Sequence, residues 1–297
     1  MPEVQRVDRL REKDLPEFEP DVMVKLLATI GPGDDGVPRP NLALIALMRA
    51  KSVHQIFFGA FIKGKTKDNL DREPRCGVAF MNLKLNYWVM KGNFSHWAYE
   101  GEDYEFWNEV PLLRYNAYSG VEKVGYVDLV EVSPRRRLPL GGLLRGILAC
   151  RLARGALKTR LPPHCNRMSP RMTKFFQGAL NPKFLAWVGE DGYPEVVPVV
   201  QLQAVDANRL AFPPTVFPRD LARVPVGAWV AVLCVDPKEM LLFQVKGTFQ
   251  GFRRARGVKL GVVDVEEVYS SMPPKPGDRL YPPPEPRDAP GESIGLV

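Results

Sequence analysis

Residues 88–94 read WVMKGNF and residues 243–249 read FQVKGTF, the same strand-like heptad with a Lys-Gly pair at the same step. Three more pairs occur in the same order. LLATIGPGDDGVPRP (26–40) answers FLAWVGEDGYPEVVP (184–198), CGVAFMN (76–82) answers AWVAVLC (228–234), and VGYVDLVEV (124–132) answers LGVVDVEEV (260–268). Ordered self-similarity of this kind marks two copies of one structural unit. Each copy reads as short strands joined by turns. Asp35-Gly36 and Asp191-Gly192 have the chemistry of tight hairpin turns, because Gly accepts a positive φ. Asp128 and Asp264 fall in register in the last pair. The 29 prolines and 25 glycines fit a turn-rich, mainly β chain. Short alternating strands such as PNLALIALM and VVPVVQLQAV predict a small antiparallel barrel per copy, with few helices.

The copies differ in one place. The offset between them falls by about 19 residues between the Lys-Gly pairs and Asp128/Asp264, so the first copy carries an insert there. That insert lies within HWAYEGEDYEFWNEVPLLRYNAYSGVEK (96–123) and is dense in aromatics. Two readings stand: a lid over an exposed barrel edge, or a wall against a planar ligand.

Charge is unevenly placed. Ser133 to Gly189 holds twelve Lys or Arg and no Asp or Glu, while the remainder carries 29 basic against 34 acidic residues. The net charge of +7 therefore belongs to one segment, and no nucleic-acid partner is expected of the whole surface. The charged N-terminus has no apolar signal core, and no apolar run approaches the roughly 18 residues of a spanning helix. Cys76, Cys150, Cys165 and Cys234 are scattered without a CxxC pair. Together these predict a soluble cytoplasmic protein with reduced cysteines.

The stretch FFGAFIKGKTKDNLDREPRCGVAF (57–80) carries the most chemistry. An aromatic strand runs into a loop with lysines and glycine, then into a helix over 65–73 that Pro74 ends. Lys63, Lys65 and Lys67 sit at the end that the helix dipole already makes positive. Lysines there, a threonine hydroxyl and free amides compose an anion site; the alternative is three solvated lysines. The second copy has only FPPTVFPRDLARV, with a shorter helix over 218–224, no lysine, and prolines that remove donors. No phosphate site is expected there.

With its strand, lysine loop and KTKDNLDREPRCGVAF, the chain over about 22–132 resembles the FMN-binding split β-barrel proteins related to pyridoxamine 5′-phosphate oxidase. The LAT…DG.P hairpin and the KG.F strand fit the same pattern; Glu73 before Pro74 departs from the usual Asn. The resemblance implies that Lys65, Thr66 and Lys67 hold the FMN phosphate, with Asn69 supporting the turn. It places Arg39, Asn41 and Ala43 on the strand facing the ribityl chain and ring, and Phe58, Gly59, Ala60 and Phe61 along the ring edge. Such barrels pair with flavin at the seam, so the second copy here would replace a second subunit.

No metal site is expected. His54, His96 and His164 stand apart, and no HxxxH or acidic cluster accompanies them. No G-x-S-x-G elbow marks a hydrolase, and GPGDDG leads into a hairpin, not the helix of a dinucleotide fingerprint. The basic bridge predicts a helix over 148–158 with Arg151, Arg154 and Lys158 on one side and Leu148, Ala149, Leu152 and Ala156 on the other. Three roles stand open for it: a linker helix packed on the barrels, a membrane-surface contact, or an acidic partner. MTKFFQGAL (172–180) reads as a second short helix, and the Pro-rich 272–292 as either an extended strap over a surface or a disordered tail.

The sequence thus predicts a mainly β protein of two tandem split β-barrels forming an intrachain pseudo-dimer. Its parts are a first barrel (1–133), a basic helical linker outside both barrels (134–183), a degenerate second barrel (184–271) and a Pro-rich tail (272–297). The expected activity is that of an FMN-dependent oxidoreductase taking electrons from NAD(P)H or another donor. The alternative is a non-catalytic module for flavin or haem.

Overall fold

The computed structural model describes residues 7–20, 23–60, 64–109, 120–179, 181–236, 241–270 and 278–283. Phe61, Lys63, part of the aromatic insert and most of the Pro-rich tail lie outside the described residues. In the first unit the elements are β1 (Val24–Pro32), β2 (Pro38–Leu44), β3 (Met48–Ala50), β4 (Gln55–Ala60), α1 (Lys65–Arg72), β5 (Arg75–Met81), β6 (Asn86–Ala98), α2 (Glu102–Glu109), β7 (Lys123–Val132) and β8 (Arg136–Arg137). Two helices follow, α3 (Leu140–Ala153) and α4 (Pro170–Gln177). The second unit has β9 (Lys183–Val188), β10 (Pro194–Pro198), β11 (Gln203–Asp206), β12 (Arg209–Phe212), α5 (Pro218–Leu221), β13 (Trp229–Asp236), β14 (Leu241–Ala255), β15 (Val258–Ser270) and β16 (Asp278–Tyr281).

The two sheets have one topology. The first runs β2-β1-β5-β6-β7-β4-β3 and the second β10-β9-β13-β14-β15-β12-β11, all pairings antiparallel. Each repeated motif occupies the same place in both sheets, which makes the chain two tandem split barrels. The Lys-Gly pair has a structural cause. The ladder slips one residue between Lys91 and Gly92, and again between Lys246 and Gly247. At these bulges the neighbouring strand comes close: a Cβ would meet the Asp128 carbonyl oxygen at 2.7 Å in one unit and that of Asp264 at 1.9 Å in the other. Only glycine fits there, and the bulge re-aims the lysine before it.

Each barrel is filled and plugged. In the first, Leu27, Phe58, Val78, Trp88 and Val127 form the core, and the short 3-10 segment Glu12–Phe18 inserts Phe18 against Phe80 and Trp88. In the second, Trp187, Val230, Phe249 and Val263 receive Met172 and Phe176 from α4. The sequence predicts a bridge lying outside both barrels, but α4 enters the core of the second. Met172 and Phe176 lie one turn apart on α4, so they enter the core together. The first bridge helix also departs from expectation, starting at Leu140 and ending at Ala153. It buries Leu143, Gly146, Cys150 and Ala153, and Arg154 turns inward to donate to the Ala204 carbonyl.

The units meet along β1, β2 and β5 on one side and β9, β10, β13 and β14 on the other. Strand alternation sends Leu27 into the first barrel while Leu26 and Ala28 face the seam. There they join Leu42, Ala79, Phe184, Ala231 and Leu233 in one shared apolar cluster. The Gln244 side chain stitches the seam, accepting from the Leu42 amide at 2.7 Å and donating to Asn41 Oδ1 at 3.2 Å. From the insert, Trp107 folds back onto the barrel and is buried against Phe57, Val124 and Tyr126, while Tyr99 is exposed.

Candidate functional site

The seam places two clusters of charge, one beside each Lys-Gly lysine. Both lysines are buried, and each faces a cross-strand glutamate: Glu131 opposite Lys91, Glu267 opposite Lys246. Around Lys91 the other unit supplies carboxylates. Its Nζ lies 2.6 Å from Asp191, 2.8 Å from Glu195 and 3.6 Å from Glu131, and Arg223 joins Glu195 at 2.6 Å. Burial disfavours the charged amine, but the hydrogen bonds to Asp191 and Glu195 outweigh it and hold the Lys91 pKa above its usual value.

Around Lys246 the signs reverse. Here the first unit supplies cations, Arg39 from β2 and Lys65 from the start of α1. Arg39 is buried, lies 3.7 Å over the Trp229 ring, pairs with Asp35 at 3.0 Å and takes Glu267 as a second partner. Its Nε is buried without a hydrogen-bond partner among the described residues. Tyr269 donates to the same Glu267 at 2.7 Å, so that carboxylate is drawn away from Lys246. Lys65 Nζ sits 3.9 Å from the Tyr269 ring centre and Lys246 Nζ 5.1 Å from it. Among the described residues no carboxylate comes within ion-pair distance of Lys246. Burial, then the charges of Lys65 and Arg39, pull its pKa down to about 7 against the opposing pull of Glu267. At the rim, β16 brings Arg279 onto Asp34.

Of the residues predicted from sequence, the fold brings Arg39 and Lys65 together here, with Asn41 beside them on β2. Lys67 goes elsewhere. Two residues on a helix differ by about 200°, so it points away from Lys65, toward Lys123. Lys123 is buried over the Trp97 ring at 4.3 Å, and burial and then Lys67 pull its pKa down to about 8. Thr66 lies between the two directions. Asn69 is buried and donates to Thr29 Oγ1 at 2.9 Å, tying α1 to β1. Ala43 is half-buried near the end of β2. Phe58 is in the barrel core, packed edge-on to Trp97, and the Gly59 amide and Ala60 carbonyl are spent on Leu47 and Glu122. Lys246, Glu267, Tyr269 and Trp229 were not singled out by sequence reasoning. The one available signal was the repeated Lys-Gly pair itself.

No protein-family model matches the chain, and no curated protein matches it. Among solved structures, HupZ of Group A Streptococcus is 18% identical over 41% of this chain and 91% of its own, with a TM-score of 0.33. A protein of Lactobacillus delbrueckii described as a putative pyridoxamine 5′-phosphate oxidase is 13% identical over 43% of this chain and 96% of its own, with a TM-score of 0.31. An FMN-binding protein of Syntrophomonas wolfei is 15% identical over 38% and 78%, with a TM-score of 0.32. Each likeness spans about two fifths of this chain. The tandem arrangement rests on the strand orders of the two sheets.

Proposed function

We propose that this chain is an FMN-dependent oxidoreductase whose flavin phosphate is held at the seam by Arg39, Lys65 and Lys246. The observation that carries the reading is the meeting of Lys65 and Lys246 over Tyr269, with Arg39 joined to them through Glu267 and no carboxylate within ion-pair distance of Lys246 among the described residues. Burying Lys246 beside Arg39 and Lys65, with no carboxylate in ion-pair distance among the described residues, costs free energy that an entering anion would offset. The donor set fits a phosphate: a fork-shaped guanidinium with a spare Nε–H, and two ammonium groups. Trp229 and Tyr269 supply aromatic surface beside it. Glu267 does not oppose this, because Arg39 and the Tyr269 hydroxyl already answer its charge. Bound FMN would supply hydride or single-electron transfer. The chain's own residues bind and position it: Gln244 fixes the β2 edge that carries Arg39, and the shared apolar cluster keeps water from the seam. The three histidines lie elsewhere, His96 stacking on Tyr126 at 4.5 Å, so the haem alternative gains no support from the cluster.

Titration of the purified protein with FMN, followed by flavin fluorescence, tests the reading. FMN is expected to bind, and riboflavin, which lacks the phosphate, to bind far more weakly. Each charge-assisted hydrogen bond is worth roughly 1.5–3 kcal/mol. Lys65→Ala with Lys246→Met should therefore weaken FMN on the order of a hundredfold. Equal binding of FMN and riboflavin would remove the phosphate anchor. Reduction of the bound flavin by NADH or NADPH would show an enzyme; its failure with all donors would leave a carrier.

A further inference from the structure

The exposed face of α3 is apolar in a way the flavin reading does not use. Leu140, Leu144, Leu148 and Leu152 recur every four residues and are 52%, 65%, 59% and 61% exposed. A four-residue step drifts about 40° around a helix, so they form one row. The opposite face, with Gly146, Cys150 and Ala153, is packed on the second barrel, which leaves the leucines outward. Sequence reasoning placed Leu148 and Leu152 opposite Arg151; instead they share the solvent side with Arg145 and Arg151. Beside the start of α3 lies a groove of about 490 Å³ lined by Lys84, Asn86, Arg135, Arg136 and Arg137. Arg136 is answered by Asp220 at 2.9 and 3.1 Å, but Lys84 and Arg137 are exposed, and Leu83 at the adjoining hairpin tip is 79% exposed.

We infer that this face is a docking surface for an anionic phospholipid bilayer. An aliphatic row flanked by arginines is the form of a helix that lies in the membrane interface. The leucines enter between acyl chains while Arg145 and Arg151 meet phosphates at the same depth. The groove beside them takes a lipid headgroup, and the whole segment from Ser133 to Gly189 holds no carboxylate to repel the surface. A second copy of the chain fits less well, because a two-fold contact centred on Leu148 would set Arg145 of each copy against Arg151 of the other. A protein partner fits less well too, since the row has no aromatic anchor of the kind that dominates such interfaces.

Vesicle flotation tests this with the whole chain. The parent should float with phosphatidylcholine vesicles containing about 30% phosphatidylglycerol and not with phosphatidylcholine alone, and salt should weaken it. Leu144→Ser with Leu148→Ser should lower binding at least about tenfold, and Arg145→Gln with Arg151→Gln should lower it and flatten the salt dependence. All four positions are on the solvent side, and an unchanged melting temperature confirms folding. No flotation at low salt, or flotation of the leucine variant equal to the parent's, overturns the inference. So does light scattering that shows a parent dimer made monomeric by the serine pair, since that assigns the row to self-association.

Discussion

Lys91 and Lys246 stand at the same step of equivalent strands, β6 and β14, each just before a bulged glycine and each opposite a glutamate. Around Lys91 the partner unit offers Asp191 and Glu195, and the buried amine is held in an ion-pair network. Around Lys246 the partner unit offers Arg39 and Lys65, and the glutamate that could have answered it pairs with Arg39 and Tyr269. The fold delivers a buried cation to the seam twice. What the opposing hairpin and helix carry decides whether that cation is paired across the seam or set beside other cations. One half of the pseudo-dimer has become the clasp and the other the candidate site.

The largest expected difference is in stability. Lys91→Met removes one partner of a buried network and leaves Glu195 to Arg223 alone, which should cost about 3 kcal/mol in urea unfolding. Lys246→Met removes a buried cation that has no carboxylate in reach among the described residues, and its aliphatic stem is replaced by one of similar shape. It should be neutral or stabilising. Equal losses at the two positions would erase the distinction drawn between the clusters.

The same contrast has a pH signature of opposite sign. An unfolded lysine titrates near its ordinary 10.5, and folding pulls Lys246 down to about 7. Between those values the unfolded chain binds the extra proton, so stability rises with pH across that window, by at most about 1.4 kcal/mol per unit. Lys91 is shifted the other way. Its contribution is fully present below its unfolded pKa and is lost only as pH rises through its higher folded value. Urea midpoints of the ligand-free protein measured at rising pH above 7 should climb; in Lys246→Met the climb should shrink to the share Lys123 contributes above its folded value of about 8, and in Lys91→Met it should persist in full. A flat profile for the parent would mean that Lys246 is already paired.

Much of this was legible in the sequence. The two tandem barrels follow from four ordered motifs, because alternation and Asp-Gly turns are local properties that a repeat doubles. Lys65 reads from sequence as an anion ligand and Arg39 as a residue facing the ribityl chain and ring, and the fold brings both to the seam. The other half of the cluster was not legible. Arg39 meets Glu267 across 228 positions, and nothing local in VEEVY says that its glutamate crosses the seam. The bridge was misjudged for a related reason. The sequence sets Leu148 and Leu152 opposite Arg151, but α3 packs close to the second barrel through Gly146, Cys150 and Ala153, and small residues on that face leave leucines and Arg151 together on the solvent side.

The smallest effect sharpens the comparison most finely, because it separates two lysines of one helix turn. Sequence likeness gives Lys65, Thr66 and Lys67 one shared role on a phosphate. In the fold only Lys65 reaches the seam, over the Tyr269 ring, whereas Lys67 points to Lys123 and Trp97 on the other side of α1. A half-buried lysine on the far side of α1, beyond hydrogen-bond distance of the ligand, acts on it only through screened charge, worth about a few tenths of a kcal/mol at physiological salt. Lys67→Ala should therefore change FMN affinity by less than about threefold, while Lys65→Ala should weaken it by about tenfold or more, the loss of one charge-assisted hydrogen bond. Fluorescence titration of the two single variants side by side reads this directly. If Lys67→Ala proves the more damaging, the phosphate lies on the Lys123 side of α1, the seam cluster loses its ligand, and the asymmetry between Lys91 and Lys246 is one of stability alone.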